Sequence, residues 1–233
     1  MAIKGLVFDF DGLILDTEAP TLQAWQEIYA EHGVELPVDV WVQRIGHRPG
    51  GSELWDPHAH LERQLGRPLA RDELRVRRRS RADALIAAQP VLPGVEACLA
   101  DARRLGLKLA VASSSPRDWV DTHLARLGLL GHFACTKCGD DVPEGKPDPA
   151  VYLAAVEALG IAPHEAIAFE DSPTGLWAAK RAGLFAVAVP NPVTHRLPLD
   201  HADLRLRSLD ELPLADLIAL AEARQAATPR PSS

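Results

Sequence analysis

Asp9 and Asp11 stand two positions apart at the end of the apolar run IKGLVF, residues 3–8, and Gly12 follows them. In an extended chain both side chains point the same way, and a glycine lets the backbone turn sharply just beyond. Two carboxylates ~5 Å apart repel by roughly 3 kcal/mol at an effective dielectric near 20. A second acidic pair, Glu170 and Asp171, ends the run EAIAF. A turn or an N-cap explains either pair alone. Two such pairs at the ends of two strands call for a cation. An all-oxygen, acidic, water-accessible site suits Mg²⁺, a hard ion that keeps several waters.

Groups that could hold an anion fall nearby in the pattern. Ser113, Ser114 and Ser115 follow the run LKLAVA, and Pro116 then opens a helix. Hydroxyls and free N–H groups at a helix N-terminus form a ready anion site, with plain N-capping the alternative for any one serine. Lys146 lies in the proline-rich segment DDVPEGKPDPAVY, residues 140–152. Beside the carboxylates it becomes a counter-charge able to hold a phosphate.

These residues need elements to bring them together. IKGLVF (3–8), LKLAVAS (107–113), EAIAFE (165–170) and FAVAVP (185–190) read as buried strands, with FACT (133–136) and LRLRSL (204–209) weaker. They are continuously apolar, as strands covered on both faces are. Helical stretches at 95–106, 119–128, 149–160 and 175–183 alternate with them, each closing on a glycine. That alternation predicts an α/β fold with a parallel sheet wrapped by helices. In such sheets ligands bind beyond the carboxyl ends of the strands, where all the residues named above fall. Residues 17–88 break the rhythm with four helical stretches and no strand, which predicts an all-helical subdomain inserted after the first strand. The expected organisation is a core of 1–16 and 89–226, a cap of 17–88 and a disordered tail of 227–233.

Composition narrows the partners. The chain has 233 residues, 47% of them hydrophobic, and a net charge of −7. That balance argues against a general nucleic-acid binder, which needs a basic face, and favours small molecules. RVRRRSR, residues 75–81, lacks interleaved aromatics and reads as a solvated helix face. No run reaches the length of a membrane span, and residues 3–8 are too short for a signal-peptide core. Three cysteines do not make a disulfide scaffold, so a cytoplasmic location is expected, as a monomer or weak dimer. Cys135 and Cys138 form a single CxxC, half of a four-ligand zinc site, placed after a strand rather than opening a helix as a redox pair would. His58 and His60 sit at i and i+2, do not share a helix face, and read as ordinary polar positions.

Taken in order, the segments resemble the signature motifs of the haloacid dehalogenase-like superfamily. DFDGLILDT is similar to the first, Ser113 in VASSSP to the second, Lys146 in GKPDP to the third and FEDSPTG (169–175) to the fourth. The resemblance implies a Rossmann-like core, and the insert resembles the helical cap of the branch containing phosphoglycolate phosphatases, sugar-phosphate phosphatases and β-phosphoglucomutase. It implies that Asp9 attacks phosphorus, that Asp11 serves as acid and base, and that Ser113, Ser114 and Lys146 bind phosphate. It also implies that Asp9, Asp11 (through its backbone carbonyl), Glu170 and Asp171 hold Mg²⁺. The substrate would be a small phosphate ester.

Dehalogenases of the superfamily lack the second aspartate, so Asp11 and Asp171 argue against that activity. Phosphorylatable signalling receivers carry their acceptor on a later strand and have no inserted cap. Substrate contacts are expected from Gly46, His47 and Arg48 in the cap loop IGHRPGGS and from Thr21 after the hinge. Thr21 occupies the offset at which the mutase has a histidine, and a threonine cannot act as a proton-linked gate. Net hydrolysis is therefore expected over mutation.

Overall fold

The computed structural model describes residues 2–45 and 55–227. Six strands, β1 (Gly5–Phe8), β2 (Lys108–Ala112), β3 (Cys135–Lys137), β4 (Ala166–Glu170), β5 (Phe185–Ala188) and β6 (Leu204–Arg205), form one sheet in the order β3-β2-β1-β4-β5-β6. Every pairing is parallel. The chain runs outward from β1 in one direction and then in the other, so β1 and β4 flank the point where the strand order reverses. That point is where an open α/β sheet leaves a crevice for a ligand.

The two faces of the sheet are packed differently, and the alternation of side chains explains it. Leu6, Phe8, Leu109, Val111, Ile167, Phe169, Phe185 and Val187 face α5 (Val95–Arg104), α6 (Arg117–Arg126) and α9 (Leu214–Ala227). The opposite face is mostly alanine (Ala110, Ala112, Ala166, Ala168, Ala186, Ala188) and carries α7 (Ala150–Leu159) and α8 (Pro173–Arg181). Small side chains there let α7 and α8 lie close to the strand ends that carry the acidic residues.

Between β1 and α5 the chain builds α1 (Glu18–Glu31), α2 (Val38–Trp41), a 3₁₀ turn at Val42–Arg44, α3 (Pro57–Leu65) and α4 (Arg71–Ala87). These helices have their own core around Trp25, Tyr29, Leu36, Trp41, Leu61 and Leu74, joined by Val193 and Leu197 from beyond β5. The two connections to the sheet domain are tied together: Leu92 N–H donates to the Ile14 carbonyl at 2.9 Å, and Leu15 bridges Val91. Among the described residues no helix is long and apolar enough to cross a membrane.

Several sequence expectations are corrected here. The 204–209 strand shrinks to Leu204–Arg205, and the helix expected over 38–46 is one α-turn followed by the 3₁₀ turn. Helix α9 was not anticipated, and it includes Ala227, assigned above to the tail; residues 228–233 lie outside the described residues. RVRRRSR is only partly a solvated face. Arg77 and Arg81 do pair with Glu31 and Glu27 of α1 at 2.7 Å, but Arg78 is half-buried and faces the cleft. His58 and His60 are aromatic packing partners of Trp25 and Tyr29 inside the cap.

Candidate active site

The register of β1 and β4 sets Phe8 opposite Phe169, and Asp9 N–H continues the ladder to the Phe169 carbonyl at 3.0 Å. The residues that follow must therefore emerge side by side. Asp9, Glu170 and Asp171 are 6%, 0% and 2% exposed, and each offers a carboxylate oxygen within 4.8 Å of the others. Lys146 Nζ reaches into this group from the loop before α7. It donates to Asp9 Oδ1 at 2.7 Å, Glu170 Oε1 at 2.5 Å and the Ala112 carbonyl at 2.8 Å.

Glu170 is the most fully satisfied of the three. Tyr152 OH donates to its Oε1 at 2.6 Å, and Ser172 Oγ to its Oε2 at 3.2 Å. Asp171 Oδ2 accepts from Asn191 Nδ2 at 2.8 Å. Among the described residues no hydrogen bond reaches Asp9 Oδ2 or Asp171 Oδ1.

One ammonium against three buried carboxylates leaves an electrostatic deficit. Burial, then the neighbouring Glu170 charge, pushes Asp9 up to about 8 against the pull of Lys146. Burial and then Asp9 push Asp171 well above the ordinary carboxylate range. For Lys146 burial disfavours the charge, but the Asp9 and Glu170 carboxylates outweigh it and hold the amine above its usual value. The charge balance of the protein alone thus disfavours full ionisation of the cluster. A divalent cation would offset that imbalance, and the hard oxygen donors left free on Asp9 and Asp171 fit Mg²⁺.

Two glycines make the arrangement possible. Gly12 has φ +81°, and a Cβ there would lie 2.4 Å from Asp171 Oδ2. A Cβ on Gly175, in the first turn of α8, would meet the Glu170 carboxylate at 1.9–2.1 Å. Helix propensity alone would make Gly175→Ala stabilising by about 1 kcal/mol. The overlap reverses that sign, so the variant should melt lower than the wild type and lose most of its activity as Glu170 and Lys146 are displaced. Thermal denaturation beside a turnover assay checks this, and an unchanged or raised midpoint would remove the packing argument.

Asp11 does not join the three-carboxylate group. Its side chain turns toward α6, where Ser115 Oγ donates to Oδ2 at 2.6 Å and Trp119 Nε1 to Oδ1 at 3.0 Å, with Ser113 Oγ 3.4 Å from Oδ2. The two aspartates therefore stand on opposite sides of one opening, Asp9 toward the buried charge cluster and Asp11 toward the hydroxyl-rich start of α6. Ser113 is buried, whereas Ser114 is exposed on the rim.

The opening leads into a cleft of about 580 Å³ that cap residues line on one side, within the size range of small-molecule sites. Asp9, Asp11, Ser113, Ser114, Lys146 and Asp171 line its floor, and Thr21 lines the cap side. The Thr21 hydroxyl donates to the Thr17 carbonyl at 2.7 Å within α1. Gly46, His47 and Arg48 lie outside the described residues.

Sequence reasoning missed several groups here. Tyr152 and Asn191 carry no motif of their own, although Tyr152 lies within the quoted 140–152 segment. Glu18 follows the first motif directly, lines the cleft, and is pushed up to about 7 by burial and then by Asp11. Arg44 and Arg78 line the same wall, and among the described residues neither has an ion pair and Arg78 Nε is buried without a hydrogen bond. Burial and then Arg44 lower the Arg78 pKa from its ordinary value. The cysteines are free thiols: Cys138 is buried and pushed up to about 11 by burial, and Cys135 is raised for the same reason.

The model of the haloacid dehalogenase-like hydrolases matches residues 3–183. A Bacillus subtilis protein named Putative phosphatase YhcW is 47% identical over 216 residues, which is 93% of this chain and 96% of that protein. Hexitol phosphatase B of Escherichia coli is 33% identical over 224 residues, covering 93% of this chain and 97% of its own. Among solved structures, CbbY from Rhodobacter sphaeroides in complex with phosphate aligns with a TM-score of 0.65 at 29% identity, over 90% of this chain and 96% of that one.

Proposed function

Because the chain belongs to the haloacid dehalogenase-like hydrolases and is a phosphatase of that family, we propose that it hydrolyses a sugar or sugar-alcohol phosphate by way of a phosphorylated Asp9. The observation that carries this reading is the division of labour between the two aspartates. Asp9 keeps one oxygen on Lys146 and the other free of hydrogen bonds, so that one can face the metal and the other the phosphorus once Lys146 moves onto the phosphoryl group. Asp11 sits across the opening, outside the three-carboxylate group, as a proton donor to the leaving oxygen would.

In this mechanism Asp9 attacks phosphorus and Asp11 protonates the departing alkoxide. Asp11 then takes a proton from the water that releases phosphate from Asp9. Lys146, Ser113 and Ser114 hold the phosphoryl oxygens and orient them for in-line attack. Asp9, Asp171 and the Asp11 backbone carbonyl would hold Mg²⁺, with Glu170 acting through water because both its oxygens already accept from protein donors. Bound there, the ion supplies charge neutralisation for the phosphoryl group. Cap and hinge side chains suit a polyhydroxylated leaving group: Arg44 and Arg78 carry donors that no acceptor among the described residues takes up in an ion pair, and burial and then Asp11 push the Glu18 carboxyl up to about 7, where it can donate or accept. The hexitol phosphatase relative agrees with that class.

The phosphomutase alternative gains one argument from the hinge. Thr21 has no titratable group, but Glu18 lies one turn earlier in the cleft lining, where burial and then Asp11 push its carboxyl up to about 7. The test is incubation with β-glucose 1-phosphate, a trace of the bisphosphate and Mg²⁺, alongside a panel of sugar and sugar-alcohol phosphates. Inorganic phosphate should accumulate from the panel. Glucose 6-phosphate forming much faster than free phosphate would overturn the hydrolase reading.

A further inference from the structure

Trp119 is not among the residues to which the motifs assign a role, yet its indole N–H makes a 3.0 Å hydrogen bond to Asp11 Oδ1. The ring is held in place. It meets His123 edge-on at 4.3 Å, and His123 in turn lies 6.3 Å from the ring of Phe10, the residue between the two aspartates. Burial and then Arg126 keep His123 below its ordinary pKa. Trp119 therefore ties the first turn of α6 to the Asp11 side chain and presents one fixed donor to one carboxylate oxygen. Ser115 Oγ, 2.6 Å from Oδ2, is a rotatable donor that can exchange for another partner.

From this geometry we infer that Trp119 is a positioning residue for Asp11, fixing the rotation of its carboxylate so that the oxygen now on Ser115 meets the ester oxygen of the substrate. The inference rests on Asp11 being the acid of the proposed mechanism. As the Asp9 oxygen bonds to phosphorus, the electron pair of the breaking P–O bond passes to the leaving oxygen, which takes the proton from Asp11. A carboxyl free to rotate would spend less time aimed at that oxygen, and the loss would fall on the step that needs the proton.

The experiment compares Trp119→Phe, which keeps an aromatic ring and removes the N–H, with wild type on two kinds of ester. Sugar phosphates leave as alkoxides and need the proton. p-Nitrophenyl phosphate leaves as a stable phenolate and does not. kcat/KM is the quantity to read, because it reports steps through phosphoryl transfer and is not masked by later water attack. Trp119→Phe should lose about tenfold or more on the sugar phosphate and less than about threefold on p-nitrophenyl phosphate. Ser115→Ala should lose less than Trp119→Phe on the sugar phosphate, since its donor is the one exchanged.

Asp11→Asn is the reference and should show the same split more strongly. If Asp11→Asn shows the split and Trp119→Phe lowers both esters equally, or neither, the positioning role is overturned while the mechanism stands. If Asp11→Asn shows no split, Asp11 is not the acid and both readings fail. Should Trp119→Phe not fold, a Ser115→Ala loss equal to that of Asp11→Asn would overturn the inference, because Ser115 would then be the donor that matters.

Discussion

Asp9→Asn should lower turnover by roughly 10⁴-fold or more while leaving the fold intact. Asparagine keeps the shape of the side chain and removes its attacking anion. It also removes one of three carboxylates buried together, of which Lys146 pairs with Asp9 and Glu170. Lys146 retains Glu170 and the Ala112 carbonyl as acceptors, so it is not stranded. The metal-free variant should therefore melt no lower than metal-free wild type at pH 8, where repulsion within the cluster is greatest. Steady-state kinetics with a thermal melt on the same preparation checks both halves. Residual activity of more than a few per cent would rule out Asp9 as the nucleophile, and a collapsed melt would mean that Asp9 is structural.

Removing divalent ions should have an effect of similar size. Excess chelator should abolish phosphate release, and added Mg²⁺ should restore it. The same linkage should appear in stability, with a defined sign. Asp9 is raised from 3.8 to about 8 in the folded, metal-free chain. Between those values the unfolded chain has released the proton and the folded one still binds it, so metal-free stability falls as pH rises through that window. Metal binding requires the ionised carboxylate and removes the penalty. The rise in melting temperature on adding Mg²⁺ should consequently be larger at pH 8 than at pH 5. A shift of equal size at both pH values, or turnover that persists in excess chelator, would contradict a metal held by Asp9 and Asp171.

The sheet was legible because its strands are covered on both faces and so appear as uninterrupted apolar runs. The floor of the site was legible because its residues follow those runs directly: Asp9 after β1, Ser113 after β2, Asp171 after β4. Groups that enter from elsewhere left no such mark. Asn191 reaches Asp171 from beyond β5, and Tyr152 reaches Glu170 from α7; each is an isolated polar residue whose role depends on packing. Trp119 reads as an amphipathic helix position until α6 is placed against Asp11. Arg78 is hidden within a run of arginines, and only the cap's own packing separates it from its solvated neighbours Arg77 and Arg81. Helix α9 is a different case. Leu214, Leu217, Ile218 and Ala221 recur at helical spacing, and the sequence-based expectations nonetheless place no helix there.

Covalent capture at Asp9 tests the central claim most directly. The Asp11→Asn protein, mixed with Mg²⁺ and p-nitrophenyl phosphate, whose leaving group needs no proton, is quenched in acid within the first turnover and digested, and the peptide spanning Asp9 is read by mass spectrometry. Without its base the variant should accumulate the intermediate, with one phosphoryl group on Asp9 and none on Ser113, Ser114 or Ser115. Phosphate released in the burst with Asp9 unmodified, or a phosphoryl group on one of the serines, would contradict the account.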